Sequence, residues 1–359
     1  MAPLTLRDRD AVITREGLIF RVFGYSHPPN AFICDAEYAS AKVFTSKDPR
    51  APRTGGNQIF YKFYNDEGWK LVSARFPQYT VFHEMLGQRV VGIKQGDIAE
   101  VRKPEERLQA LIKASSKDEL QGATQRVLSI VLQRSGLSAV SFGVFGSMLH
   151  GFHHPKLSDI DLIVYGVREN AKIRETLQAL YADSRSGFKN EFESDAAMAG
   201  KQWRFKNYTV KEFVWHQKRK QIYGLFNDAK SGRPIKAEFE PVKAWSEIAS
   251  EYDSQTRILR KGWVKITARV TADTEAPFIP SVYGIKPLTV LNGTRDALEA
   301  VRVVSYMEEF RVQAEKDETV TVEGNLEEVM SPHSSFHQIA LTYCPRYYEQ
   351  VLKVAALNP

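Results

Sequence analysis

The stretch Asp159-Ile160-Asp161-Leu162-Ile163-Val164-Tyr165 constrains this chain more than any other. Alternate side chains of a β-strand share a face, so Asp159 and Asp161 project together while Ile160 and Leu162 point into a core. Two carboxylates side by side repel each other unless a cation lies between them. Mg²⁺ suits that need, being hard and held through one or two carboxylates plus substrate phosphates.

A second feature precedes it. The apolar run Ala139–Phe145 reads as a buried strand, and it leads directly into Gly146-Ser147, which eleven residues separate from Asp159. Glycine lets a backbone approach a ligand closely, and free N–H groups there cradle anions. The Ser147 hydroxyl adds a donor for a triphosphate oxygen, and Lys156, in the loop before Asp159, is placed to touch phosphate. Carboxylates for metal beside donors for phosphate are the equipment of phosphoryl or nucleotidyl transfer. A third carboxylate is expected from the strand 234–241, where Lys236, Glu238 and Glu240 share one face and Ile235, Ala237 and Phe239 the other. Glu238 or Glu240 joins the aspartates if the two strands are neighbours, holding a second metal and taking the proton of an attacking hydroxyl.

Around these motifs the chain reads as three blocks: a β-rich domain over 1–100, a mixed α/β domain over 103–255 and a second β-rich domain over 257–359. In the first, Ala11–Thr14 and Leu18–Phe23 flank a Gly-containing hairpin turn, and a second hairpin is expected from Ile59–Tyr64 and Trp69–Val72. The intervening Lys47–Asn57 reads as a basic loop. In the middle block, helices are expected from Pro104, over 125–133, 169–181 and 211–226, mixed with the strands already named, which argues for an α/β or α+β domain with a mixed sheet. In the last block 319–324 and 337–343 are strand-like, while 297–314 is ambiguous between helix and strand.

Composition removes several alternatives. No apolar run approaches the roughly 20 residues of a membrane-spanning helix, and the first ten residues lack the apolar core of a secretory signal. Cys34 and Cys344 are the only cysteines, too few for a disulfide framework or an all-cysteine zinc site. A reducing, cytoplasmic setting without a membrane is expected. His150, His153 and His154 cluster, but without a cysteine nearby they read as a polar rim rather than a zinc site. The segment after Asp161 excludes a calcium loop, and no dinucleotide or Gly-Lys-Ser/Thr phosphate loop is present. A formal net charge of +6 and a pI near 9.0 favour a polyanionic partner.

Gly-Ser, a spacer of this length and Asp-x-Asp followed by apolar residues resembles the signature of the DNA polymerase β-like nucleotidyltransferase superfamily, which includes CCA-adding enzymes and poly(A) polymerases. Ser158, just before Asp159, fits the same resemblance. Glu238-Phe239-Glu240-Pro241 is similar to the third-carboxylate strand of archaeal CCA-adding enzymes, with an acid three residues before a proline, and favours Glu238 over Glu240. That family usually has Asp where this chain has Glu. The segment Gly24-Tyr25-Ser26-His27-Pro28 is similar to one in archaeal predicted nucleotidyltransferases. The resemblance implies a two-metal enzyme using Mg²⁺ or Mn²⁺, with Asp159, Asp161 and Glu238 as catalytic and metal ligands and Gly146, Ser147, Ser158 and Lys156 around the nucleotide. It would move a nucleoside monophosphate from an NTP to a hydroxyl. A nucleic-acid 3′ end, RNA or DNA, is the expected acceptor; a small molecule or protein side chain is the rival, and nucleic-acid binding on an inactive scaffold a third reading.

Overall fold

The computed structural model describes residues 4–55 and 58–355 and is mixed α+β, with several sheets and, among those residues, six α-helices. It divides into two compact units. The first runs to residue 83 and takes in 88–188 and 225–252; the second takes in 84–87, 189–224 and the chain from 253. The three blocks read from the sequence are therefore grouped differently here: the N-terminal strands and the motif-bearing core share one unit.

The N-terminal part of that unit is a sheet of β1 (Ala11–Ile13), β2 (Leu18–Val22), β3 (Ala31–Ser40), β4 (Pro52–Gly55), β5 (Gln58–Lys62), β6 (Thr80–His83), β7 (Gln88–Lys94) and β8 (Glu100–Arg102). The order is β4-β5-β3-β2-β1-β8, with β7 paired to β3 and β6 to β7. The hairpin expected at Gly17 forms, with Val12 opposite Phe20. The second does not: Trp69–Val72 lies in helix α1 (Glu67–Arg75), which buries Gly68, Leu71 and Val72 at helical spacing and exposes Trp69. The expected basic loop contains β4, and its Gly56 and Asn57 lie outside the described residues.

The motif-bearing core is a five-stranded sheet in the order β11-β12-β13-β10-β9, built from β9 (Phe142–Val144), β10 (Ile160–Tyr165), β11 (Phe188–Asn190), β12 (Tyr223–Asp228) and β13 (Arg233–Val242). Helices α2 (Pro104–Lys113), α3 (Glu119–Ser135), α4 (Gly146–His150) and α5 (Val167–Ala182) accompany it. Pro104 opens α2 at a position with no N–H partner to lose. Asp118 caps α3, and Gly136 closes it in the left-handed region. Leu108, Val127, Val131, Leu162, Val164, Leu177, Ala237 and Phe239 meet in one apolar core between helices and sheet.

In the second unit, helix α6 (Val210–Arg219) starts on a capping box made by Thr209 and Glu212. It ends earlier than the helix expected over 211–226, because Tyr223–Asp228 buries alternate residues, Gly224, Phe226 and Asp228, with the period of a strand. The remaining strands are β14 (Arg257–Ala272), β15 (Ser281–Asn292), β16 (Ala300–Ser305), β17 (Thr319–Met330), β18 (Ser335–Leu341) and β19 (Val351–Val354). Their order is β14-β15-β16-β18-β17-β19, and a further pairing of β14 with β17 closes the first five into a barrel. Phe205 and Tyr208 join the barrel residues Val264, Ile266, Tyr283, Val303, Val322 and Leu326 in its core, so residues before α6 belong with this unit. No helix among the described residues is long and apolar enough to cross a membrane.

Candidate active site

Strand β10 lies parallel to β13, with Asp161 opposite Glu238 and Ile163 opposite Glu240. The alternation that buries Ile160, Leu162, Ala237 and Phe239 at 0–1% exposure puts Asp161, Lys236, Glu238 and Glu240 on the other face of the sheet. Asp159 precedes the strand and is exposed. On its other side β10 pairs antiparallel with β9, and the Phe145 N–H donates to the Asp161 carbonyl at 3.0 Å. That bond brings the chain to Gly146, where φ is +60° and a Cβ would collide with the Asp161 carboxylate. Only glycine accommodates both that backbone and that proximity. Asp161 therefore sits between the Gly146 backbone and Glu238.

The electrostatics follow from the crowding. Burial pushes the Asp161 carboxyl well above the usual carboxylate range, and Glu238 and then Asp159 push it further in the same direction. Lys62 and Lys236 act against them. Lys236 Nζ lies 2.5 Å from Glu238 Oε1. Glu240 is occupied differently: it is 3% exposed and its Oε2 accepts from Arg9 Nη2 at 3.0 Å, with the Arg9 guanidinium 5.2 Å from the Phe145 ring centroid. A group of three or more ligating side chains gathered tightly enough for a metal ion does not occur among the described residues. The reason is visible at Glu238, whose carboxylate is turned onto Lys236. The donor set nonetheless fits a divalent cation: Glu238 and Asp159 raise the proton affinity of the buried Asp161 carboxyl, and an ion of opposite charge would relieve that repulsion.

The remaining expected residues lie in α4 and on the turn between it and β10. Ser147 is buried, and its carbonyl accepts from Phe152 N at 3.1 Å. Ser158 Oγ accepts from His154 N at 2.8 Å while Ser158 N donates to the His154 carbonyl, so this side chain closes the 154–158 turn. Lys156 is exposed on that turn. The three histidines do not converge. His153 Nε2 is 3.0 Å from Asp118, and His154 is exposed. His150 stacks on Phe152 and lies 3.1 Å from Arg102 Nη1, and burial together with that cation pushes its pKa down to about 3.

Sequence reasoning missed the contribution of the N-terminal sheet. Lys62, at the end of β5, is close enough to act on Asp161, and Tyr38 on β3 is a buried phenol whose pKa is pushed up by burial, with Asp161 among the contributors. Tyr38 also packs edge-on to His150 and Phe152. The only hint in the sequence is the alternation of aromatic and basic residues around Tyr61-Lys62, which equally describes a plain hairpin. The segment Gly24–His27 serves the architecture. Tyr25 OH accepts from Lys243 N and Ser26 Oγ from Glu251 N, both at 2.9 Å, tying the N-terminal sheet to the chain beyond β13.

A parallel carboxylate-bearing strand pair thus meets a glycine bend, and part of this region resembles a known family. Residues 125–222 match the model of the family described as "Nucleotidyltransferase domain", which belongs to the polymerase β-like superfamily. The match ends before β13, so Glu238 lies outside it. The chain is also similar to "Uncharacterized protein MJ1086" of the archaeon Methanocaldococcus jannaschii, with 28% identity over 330 residues, covering 91% of this chain and 92% of that one. That likeness extends through both units, whereas the family match covers only part of the chain. No solved structure matches the chain.

Proposed function

We propose that this protein transfers a nucleoside monophosphate from an NTP to a hydroxyl acceptor, with Asp159, Asp161 and Glu238 as the ligands of one or two divalent cations, Mg²⁺ or Mn²⁺. The observation that carries the reading is the placement of Asp161 between the Gly146 backbone and Glu238, where surplus negative charge adjoins a backbone able to approach a phosphate. Cations bound there neutralise the triphosphate and draw charge from the bond that breaks.

The chain's own residues take the other roles. Gly146 and Ser147 offer backbone and hydroxyl donors to the β- and γ-phosphates. Lys62 and Lys236, already drawn toward the carboxylates, offer ammonium groups to the same oxygens. Glu238 then exchanges its pairing with Lys236 for the acceptor hydroxyl and takes its proton. The hydroxyl oxygen bonds to the α-phosphorus as the bond to pyrophosphate breaks, so an ester forms and pyrophosphate leaves. Lys156 and Ser158, on the turn entering β10, line the approach to the nucleotide. Glu240, held by Arg9, acts as a buried support for β13 and not as a ligand.

The acceptor is a nucleic-acid 3′ end, a reading supported by the net charge of +6 and a pI near 9.0. The test is to incubate the protein with each labelled NTP, Mg²⁺ or Mn²⁺, and total cellular RNA, beside the Asp161→Ala variant. Label in RNA that depends on Asp161 supports the proposal. Label in the protein or a small molecule redirects the acceptor, and label transfer retained in full by Asp161→Ala refutes the site.

A further inference from the structure

The barrel of the second unit has a distinctive strand order. Counted from its first strand, the strands run around it in the order one, two, three, five, four and back to one, and the third and fifth, β16 and β18, are parallel. A closed five-stranded Greek key of this kind is the OB fold, which takes oligonucleotides or oligosaccharides on its second and third strands and on the loops between strands one and two and strands four and five. The first strand also has the expected character. β14 is 16 residues long, is bulged against both partners, and pairs with β15 on one side and β17 on the other.

What the outer face presents decides between the two ligand classes. Ala268, Val270, Tyr283, Ile285 and Val303 point into the core, so their neighbours Arg269, Lys286, Gly284 and Arg302 point out. Arg269 stands opposite Lys286 on β14 and β15, and Gly284, two residues from Lys286, stands opposite Arg302 on β16. The three cations thus cross all three strands. A Cβ at Gly284 would lie 2.9 Å from Thr271 Oγ1, so its glycine keeps the surface between Lys286 and Arg302 low. Arg302 extends to an aromatic platform: its guanidinium lies 5.0 Å from the Phe336 ring centroid and its Nε donates to Gln338 Oε1 at 2.9 Å. Acids nearby are Asp317, 3.1 Å from Arg269, and Glu327, which Gln338 bonds at 2.9 Å.

Charge is divided along the barrel strands in the same sense; Lys261, Lys265 and Arg269 of β14 pair across to Glu328, Glu323 and Asp317 at 3.1 Å, so that it is chiefly the cations of β15 and β16 that are offered to a ligand. From Arg257 to Ser305, spanning the first three strands, there are eight Lys and Arg against four Asp and Glu; from Tyr306 to Val354 there are four against nine. A neutral glycan has no use for that division, whereas a phosphodiester strand does.

We propose that the outer face of β14, β15 and β16, from Arg269 through Lys286 to Arg302, binds single-stranded nucleic acid, with phosphates on the cations and a base stacked against the Arg302–Phe336 pair. This rests on the nucleic-acid reading of the acceptor given above, and it gives the second unit the role of holding the strand. Stacking on one ring and a row of cations bind single strands with little regard to sequence.

The test uses the full chain without NTP or metal, so that its outcome is independent of the transfer reaction. A labelled single-stranded RNA of mixed sequence is titrated by fluorescence anisotropy at low and moderate salt, beside a duplex of equal length. The expected result is preferential binding of the single strand, falling steeply with salt. Lys286→Ala lowers the slope against log salt by about one, Lys286→Glu weakens binding about tenfold, and Phe336→Ala weakens it by about tenfold or more. Lys286→Glu keeps its circular dichroism and Tm. No binding at low salt, equal affinity for duplex, or affinity untouched by both Lys286 variants overturns the proposal. Strand binding without any label transfer upholds it while sinking the transferase reading.

Discussion

Strands β10 and β13 place two unlike surfaces back to back. Ile160, Leu162, Ala237 and Phe239 are at 0–1% exposure among helix side chains, while the residues between them, Asp161, Lys236 and Glu238, gather charge that the fold itself raises in energy. A two-residue period lets one strand support the core with half its side chains and the reaction with the other half. The two faces should therefore fail in different ways when altered.

Asp161→Asn tests the charged face. It removes the carboxylate pressed by Glu238 and Asp159, so NTP-dependent transfer should fall about a thousandfold or more, by the several kcal/mol that a lost metal ligand takes from transition-state stabilisation. The metal-free Tm should stay level or rise, because the variant relieves a repulsion. A lowered Tm together with lost activity would mean that Asp161 is structural. Phe239→Ala tests the opposite face, one residue from Glu238. It should destabilise the unit by about 3–5 kcal/mol in urea unfolding, and activity lost on warming should track the unfolding.

A third behaviour is expected from Glu240, which sits on the charged face yet is sealed from it. Arg9→Met leaves a buried carboxylate without its main partner and should cost about 3 kcal/mol, while Arg9→Met with Glu240→Gln should recover much of the loss. If Arg9→Met alters transfer without altering stability, Glu240 belongs with the ligands after all. Lys62→Ala should act more gently, raising the KM for NTP about tenfold with little change in Tm, because it withdraws one ammonium group from the triphosphate side. An unchanged KM would remove the N-terminal sheet from the site.

How much of this can be read from the chain follows from distance along it. The strand alternation at 160–165 and 234–241, and the bend at Gly146, are local patterns that the structure has where the sequence puts them, while Asp159, expected within the first strand, falls just before it. The neighbouring of β10 and β13 enters the sequence reading only as a condition, since register between strands separated by a helix is not written in either. Lys62 belongs to an element about a hundred residues before Asp161, and nothing in its own neighbourhood marks it. Trp69–Val72 misleads because Trp, Leu and Val favour strands as well as buried helix faces, and only the pairing of Leu71 with Gly68 across a turn separates the two. Residues 189–224 fall within the middle block in sequence but complete the barrel core through Phe205 and Tyr208, an arrangement that composition does not signal. The closure of β14 onto β17 is likewise a long-range pairing.

The smallest effect separates the two faces by pH. His150, stacked on Phe152 and beside Arg102, has its pKa pushed down to about 3, so the folded chain favours its neutral ring. A histidine with a depressed folded pKa contributes stability that is fully present above the unfolded value, about 6.5, and is lost as pH falls toward the folded one. Asp10, raised to about 6 by burial despite Lys103, has the reverse sign: its proton stabilises the fold at low pH and that contribution is lost as pH rises from about 4 through 6. The wild-type curve mixes these slopes, so the informative quantity is a difference. Between pH 6.5 and 4.5 the urea midpoint of the native protein should drop more steeply than that of His150→Gln, whose amide accepts from Arg102 without titrating. Equal slopes would mean that the His150 ring takes up its proton without strain, and its surroundings at Tyr38 and Phe152 would then be more open to water than their packing indicates.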